Sequence, residues 1–174
     1  WSDAILFMQL AQDYNRTPRT VLLNALVDLY KGPFLDGFSL AGNVEHTAWV
    51  NLARHRWERH YLTALQMLVE QSMQLGDFQQ AIDAAQRYLT HDPQDEVMRR
   101  RLIELYGVNG DETAVQSEYD RCTEILRREQ GRDPTDATTV AYRSAMDGSL
   151  DFRKIAHRFE AHLDFADHLE GRRK

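Results

Sequence analysis

The sequence contains side-chain types that could bind a metal or catalyse a reaction, so their spacing is the first test of function. Its seven histidines are His46, His55, His60, His91, His157, His162 and His168. Zinc hydrolases place two histidines four residues apart on a helix beside a carboxylate, and no histidine pair in this sequence has that arrangement. No Ser-His-Asp order, glycine-rich phosphate loop or Cys-His pair is found either. The sequence therefore predicts no catalytic residue, no metal site, no cofactor and no enzymatic activity.

An arginine-rich segment, "RHRWERHY" at residues 54–61, resembles a patch that stacks on bases and contacts phosphates. On a helix, however, Trp57 and Tyr61 fall on the inward side, and the segment's charged residues fall on the solvated side. In "MRRRL", Arg100 and Arg101 are likewise predicted to point away from the buried face. With a net charge of −6, the chain is not expected to bind nucleic acid or an anionic membrane surface.

The single cysteine, Cys122, excludes a disulfide within the chain and is predicted to be a small buried residue, because it shares the inward stripe of Tyr119 and Leu126. The sequence shows no apolar run long enough to span a membrane and no signal peptide, so a cytoplasmic location is expected. Because the chain begins with Trp1 rather than Met, we expect it to be part of a longer protein.

Two segments contain a Gly-Asp turn, at Gly76 and at Gly110, which corresponds to a period of 34. Each turn follows one apolar-striped helix and precedes another, which is the pattern of a tetratricopeptide repeat. The glycine ends the first helix, the aspartate caps the second, and Ala81 and Ala85 allow close approach of two helices. The alternative is an unrelated antiparallel helix pair with a Gly-Asp turn.

Helical periodicity extends through the rest of the chain, and no segment alternates like a strand. The pattern predicts an all-α fold of antiparallel helix pairs, stacked as a tetratricopeptide-like right-handed array of about seven to eight helices. The loop "GPFLDGFSLAGN" at residues 32–43 is predicted to pack against the helices because it is rich in apolar residues. Predicted helices include residues 45–75, 78–91, 95–108, 112–130, 136–147 and 151–170.

The chain is predicted to comprise a domain at residues 1–147 and a C-terminal amphipathic helix within residues 148–174. The apolar stripe of this helix needs a partner. We expect the helix to cap the repeats, to mediate self-association or to link to a further domain. The residues predicted to self-associate, as in a homodimer, are Phe152, Ile155, Phe159 and Leu163.

Several of these segments together resemble one known family. They are "ALVDLYKGPFLDGF", "AWVNLARHRWERHYLTALQML", "GDFQQAIDAAQRYLTHDPQDEVMRRRLIELY" and "YDRCTEILRREQGRDPTDATTVAYRSAM". From about Asp3 to Met146, the chain is similar to the bacterial transcriptional activator domain of antibiotic-regulatory-protein (SARP) type regulators. The resemblance implies a non-catalytic module that positions a DNA-binding domain, which this sequence lacks. It also implies contacts with proteins such as the transcription machinery, or oligomerisation.

In repeats of this kind, the first helix of each pair lines a concave groove that binds a partner. Repeats that clamp a C-terminal carboxylate use Lys and Asn there, whereas this chain has Gln66 and Glu70, which implies a different ligand. Two other functions remain open: a stand-alone repeat scaffold, and a module of a large signalling ATPase. The residues predicted to line the groove are Thr63, Gln66, Glu70, Met73, Val97, Arg100 and Glu104.

Overall fold

A computed structural model describes residues 5–11, 20–35 and 44–150. Within them the chain has seven helices and no strand, which confirms the all-α, tetratricopeptide-like fold. Contacts divide the chain into an N-terminal unit, Trp1–Leu68, and a C-terminal unit, Val69–Lys174. The helices are α1 (residues 5–11), α2 (Thr20–Leu29), α3 (Val44–Leu75), α4 (Phe78–His91), α5 (Glu96–Val108), α6 (Glu112–Gln130) and α7 (Asp136–Met146).

Stacked aromatic rings connect the helices of the N-terminal unit. Trp57 of α3 stacks on Phe7 of α1 with ring centroids 4.3 Å apart, and on Phe34 with centroids 5.0 Å apart. Tyr61, one turn further along α3, stacks on Tyr30 at 4.0 Å. Aromatic pairs of this kind add to the free energy gained by burying the rings. This confirms the inward positions predicted for Trp57 and Tyr61.

The loop after α2 is held to α3 by Arg54. Its Nε donates a hydrogen bond to the Phe34 carbonyl at 2.9 Å, and its Nη2 donates to the Leu35 carbonyl at 2.8 Å. Leu35 adopts a φ of 53°, a conformation that is costly for a residue with a branched side chain. The predicted packing of this loop is confirmed at Phe34, whereas residues 36–43 lie outside the described residues.

In the C-terminal unit, the two Gly-Asp turns form as the sequence predicts. Gly76 and Gly110 both have a φ of 75°, which glycine adopts without steric cost. The side chains of the following aspartates, Asp77 and Asp111, accept hydrogen bonds from the amides of Gln80 and Ala114 and so cap α4 and α6. Ala81 and Ala85 are fully buried, as expected for a close helix contact.

Helix α7 packs on α5 through small residues. Ile103, Val115 and Ala145 are buried together, and Leu150, beyond the end of α7, packs against them. Gly107 allows this approach, because a Cβ atom there would lie 2.6 Å from the Ala145 Cβ atom and 2.6 Å from the Leu150 Cδ1 atom.

The start of α5 fastens the loop between α6 and α7. The buried carboxylate of Glu96 accepts hydrogen bonds from the Thr135 amide at 2.6 Å and from the hydroxyls of Thr135 and Thr138, each at 2.7 Å. Its other oxygen accepts from Arg132 Nη1 at 2.6 Å. Burial alone would raise the pKa of Glu96, but these hydrogen bonds to the charged form lower it to about 2.

Candidate interaction surfaces

The residues predicted to line a partner groove occur in both units. In the N-terminal unit, Gln66 is exposed, and Thr63 is partly exposed and donates a hydrogen bond to the Arg59 carbonyl at 2.9 Å. In the C-terminal unit, Val97 is 47% exposed, whereas Glu70, Met73 and Glu104 are buried. Partner binding by this set stays a prediction, and Gln66 and Val97 are its most accessible members.

Two buried members of the predicted groove belong to a cluster of charged side chains. Arg101 donates a hydrogen bond from Nη1 to Glu104 Oε2 at 2.8 Å, and both side chains are almost completely buried. The prediction that Arg101 points away from the buried face is therefore wrong. Burial raises the pKa of Glu70 to about 7, and the nearby positive charge of Arg101 only partly opposes this rise.

Each of Glu70 and Arg100 has one buried polar atom without a hydrogen-bond partner in the described part of the chain. They are Glu70 Oε2 and Arg100 Nε. Buried polar atoms are almost always hydrogen-bonded, because losing hydration without a replacement costs free energy. This cluster is therefore a place where protonation changes the stability of the C-terminal unit.

A second buried ion pair joins α5 to α6. Arg99, almost fully buried, donates from Nε to the Pro93 carbonyl at 2.8 Å and from Nη1 to the Glu118 carboxylate. Burial raises the pKa of Glu118, and Arg99 opposes that rise. Sequence reasoning missed this pair, although Glu118 falls on the same inward stripe as Val115 and Cys122. A charge on an apolar stripe is the signal that could have revealed it.

The Arg99–Glu118 pair lies in a cavity of about 550 Å³, which we call the central groove. The groove runs between α4 and α6 across α5, and a hydrogen bond of 2.8 Å from Gln86 Nε2 to the Tyr106 hydroxyl lies in its wall. Other residues that line it are Leu89, Thr90, Leu102, Ala114, Ser117 and Arg121.

A more open cavity of about 730 Å³ lies on α6 beside the end of α7, and we call it the terminal groove. Three carboxylates and one guanidinium line it, so its charge is negative. Met146 contributes its apolar part. The charged residues are Glu112, Asp120, Glu124 and Arg121.

The N-terminal unit exposes large apolar side chains. Trp49 and Leu52, three residues apart and hence on one face of α3, are each 55% exposed. The other exposed apolar side chains of this unit include Ile5, Leu6 and Val21. Exposed apolar side chains that share a face are a common feature of protein–protein contact sites.

Cys122 is buried as predicted, and burial raises the pKa of its thiol to about 11, which makes it a poor nucleophile. Within the described ranges, no three or more His, Cys, Asp or Glu side chains are arranged so that they could hold a metal ion. None of the described helices is long and apolar enough to cross a membrane.

The predicted self-association residues, Phe152, Ile155, Phe159 and Leu163, lie outside the described residues.

A comparison with protein families finds a match that covers most of the chain. The model described as "Bacterial transcriptional activator domain" matches residues 8–144. No curated protein and no solved structure matches the chain.

Proposed function

The chain belongs to the bacterial transcriptional activator domain family, and from this premise we propose that it is a non-catalytic module that positions a DNA-binding domain and mediates protein contacts. The family is one of transcriptional regulators rather than enzymes. The family match over residues 8–144 is the observation that carries the proposal. In this role the protein acts in the cytoplasm, where it reaches the chromosome and the transcription machinery.

The surface of the N-terminal unit supports this function. Trp49 and Leu52 are exposed on one face of α3, and Trp49 packs edge-on against Phe34, with ring centroids 6.1 Å apart. Phe34 is itself fixed by its stack on Trp57 and by Arg54. An exposed aromatic side chain on such a rigid support loses little conformational entropy on binding, which favours its use as an anchor for a protein partner.

A transcription assay with the full-length gene product tests this proposal. Chromatin immunoprecipitation identifies the promoters that the parent protein occupies, and a reporter fused to one of them measures activation. The double variant Trp49→Asp/Leu52→Asp should lower activation at least about 10-fold, because both anchors become charged; each 1.4 kcal/mol of lost contact energy is a factor of about ten. Abundance and melting temperature should stay close to those of the parent.

Val140→Asp is the matched control, since Val140 is exposed but lies in the C-terminal unit. It should activate like the parent. Equal activation by the parent and by the double variant would show that Trp49 and Leu52 do not bind the partner. A parent protein that occupies no promoter would contradict the transcriptional role itself.

A further inference from the structure

The chain after α7 turns at a glycine with positive φ, as it does before α4 and α6, although the next aspartate stands three residues after this glycine rather than directly after it. Gly148 has a φ of 69°, close to the 75° of Gly76 and of Gly110. Leu150 then packs against the buried cluster of α5, α6 and α7. Helices α3 and α5 are each followed, after such a glycine, by the second helix of a pair. Helix α7 has no such second helix among the described residues.

The sequence beyond Leu150 matches the start of those second helices. Asp151-Phe152 repeats the Asp77-Phe78 that begins α4. In this register, Ile155 and Phe159 stand at the positions of Ala81 and Ala85, both fully buried in α4. The apolar stripe of the C-terminal segment therefore coincides with the buried face of an existing second helix.

The spacing along the chain supports the same register. The interval from Asp111, the cap of α6, to Asp151 is 40 positions. The interval from Asp95, the cap of α5, to Thr135, which precedes α7, is also 40. In this register, both helices of the last pair thus begin 40 positions after the corresponding helices of the preceding pair. The earlier interval from Asp77 to Asp111 is 34, and the greater length of α6, which has 19 residues against 14 in α4, accounts for most of the difference.

The two grooves are equivalent positions in this repeat. Gln86 and Thr90 of α4 line the central groove, and their equivalents at the period of 34, Asp120 and Glu124, line the terminal groove. Helix α5 contributes Tyr106 to the central groove, and its equivalent 40 positions later, Met146, lines the terminal one. The central groove is bounded on its far side by α6, whereas no described helix occupies that place in the terminal groove.

Charge complementarity indicates which segment of the chain binds in the terminal groove. Ala114 and Glu118 are α6 residues that line the central groove, and their equivalents 40 positions later are Lys154 and Arg158. Ala114 and Glu118 line the same cavity as Gln86 and Thr90, the equivalents of Asp120 and Glu124, so this register pairs two cations with two carboxylates. Opposite charges across a partly desolvated groove attract and select the correct register.

We propose that residues 151–165 form the second helix of a third pair and bind in the terminal groove of their own chain. Phe159 packs against α7, and Lys154 and Arg158 lie opposite the acidic face of α6. The inference is independent of the transcriptional role, because it concerns only how the end of the chain packs.

Hydrogen exchange of the full chain, read by mass spectrometry, tests this proposal. Amides in residues 152–165 should exchange at least about 100-fold more slowly than those of an unstructured peptide, since packed helices open rarely. Phe159→Glu should remove most of this protection and speed exchange in α6. Arg153→Glu is the control, because the equivalent residues Gln79 and Thr113 are exposed and neither of them lines the central groove.

Charge reversal provides a second readout in the same full chain. Asp120→Lys/Glu124→Lys should lower the protection of residues 152–165, and adding Lys154→Glu/Arg158→Glu should restore it. Unprotected amides in the parent chain would overturn the proposal. So would protection that appears only at concentrations where sedimentation shows a dimer, because the segment would then bind a second copy.

Discussion

At the scale of single residues, Glu96 shows how one buried carboxylate can join elements that are distant in sequence. Four hydrogen bonds reach it, from Arg132, from Thr138 and from the amide and hydroxyl of Thr135. Each replaces a hydrogen bond to water, and bonds to a charged acceptor are stronger than neutral ones. The first turn of α5 therefore fixes where α7 begins.

Replacing Glu96 with Gln should lower the free energy of unfolding at pH 7 by about 2 kcal/mol, because the charge that strengthens these bonds is lost. The folded pKa of Glu96, about 2, lies below its ordinary value of 4.5. Its stabilising contribution is therefore present above pH 4.5 and is lost as the pH falls towards 2. Urea melts should show the parent and the variant converging over that range, and a constant difference would contradict this.

Glu70 should have the opposite pH dependence. Burial raises its folded pKa to about 7 from an ordinary 4.5, so its contribution is most favourable below pH 4.5 and is lost as the pH rises through 7. Glu70→Gln cannot ionise, and at pH 8 it should be more stable than the parent by about 1 to 3 kcal/mol. Thermal melts at pH 5 and pH 8 measure this, and an equal difference at both values would show that Glu70 does not titrate as described.

At the scale of elements, helix types and boundaries were largely predictable from the sequence, whereas the buried charges were not. The step of three and four residues together with Gly and Pro punctuation located α4 to α7, and the Gly-Asp turns located two caps. Arg99 was missed because its partner, Glu118, lies on α6 and becomes apparent only when α5 and α6 are packed. Glu104 stands three residues after Arg101 on α5, so that pair is visible in the sequence, but the burial of both side chains is not.

Because α5 packs closely on α7, replacing Gly107 with Ala should not give the stabilisation that this change gives in an isolated helix. In an isolated helix, Gly107→Ala would be stabilising by about 1 kcal/mol. Here the new methyl group would lie 2.6 Å from the Ala145 Cβ atom, and overpacking of this kind costs about 1 to 3 kcal/mol. The variant should therefore be no more stable than the parent, because the cost of overpacking cancels the gain in helix propensity.

The double variant Gly107→Ala/Ala145→Gly provides the control, since it removes one of the two side-chain atoms at 2.6 Å and leaves only the end of the Leu150 side chain, which can rotate away. A double-mutant cycle in urea should give a favourable coupling energy between the two changes. If the changes in unfolding free energy of the two single variants simply add, α5 and α7 separate at no cost. The close contact between Gly107 and Ala145 would then be unimportant for stability.

At the scale of the whole molecule, the charge balance predicts how the chain behaves towards DNA. The chain has 21 Lys and Arg against 27 Asp and Glu, and Arg99 and Arg101 are committed to buried ion pairs. The isolated chain should not bind duplex DNA at about 0.15 M salt, because binding of this kind depends on many phosphate contacts. Fluorescence anisotropy with labelled duplex measures this, and salt-sensitive binding would refute the expectation.

The aromatic stack of the N-terminal unit makes the two units spectroscopically distinct. All three tryptophans, Trp1, Trp49 and Trp57, belong to that unit, and Trp57 is stacked between Phe7 and Phe34. Tryptophan emission therefore monitors the N-terminal unit alone, whereas circular dichroism monitors helices in both. Coincident unfolding curves would indicate one cooperative transition. An emission change at lower urea than the loss of ellipticity would show the N-terminal unit unfolding first, while the Gly-Asp repeats stay folded.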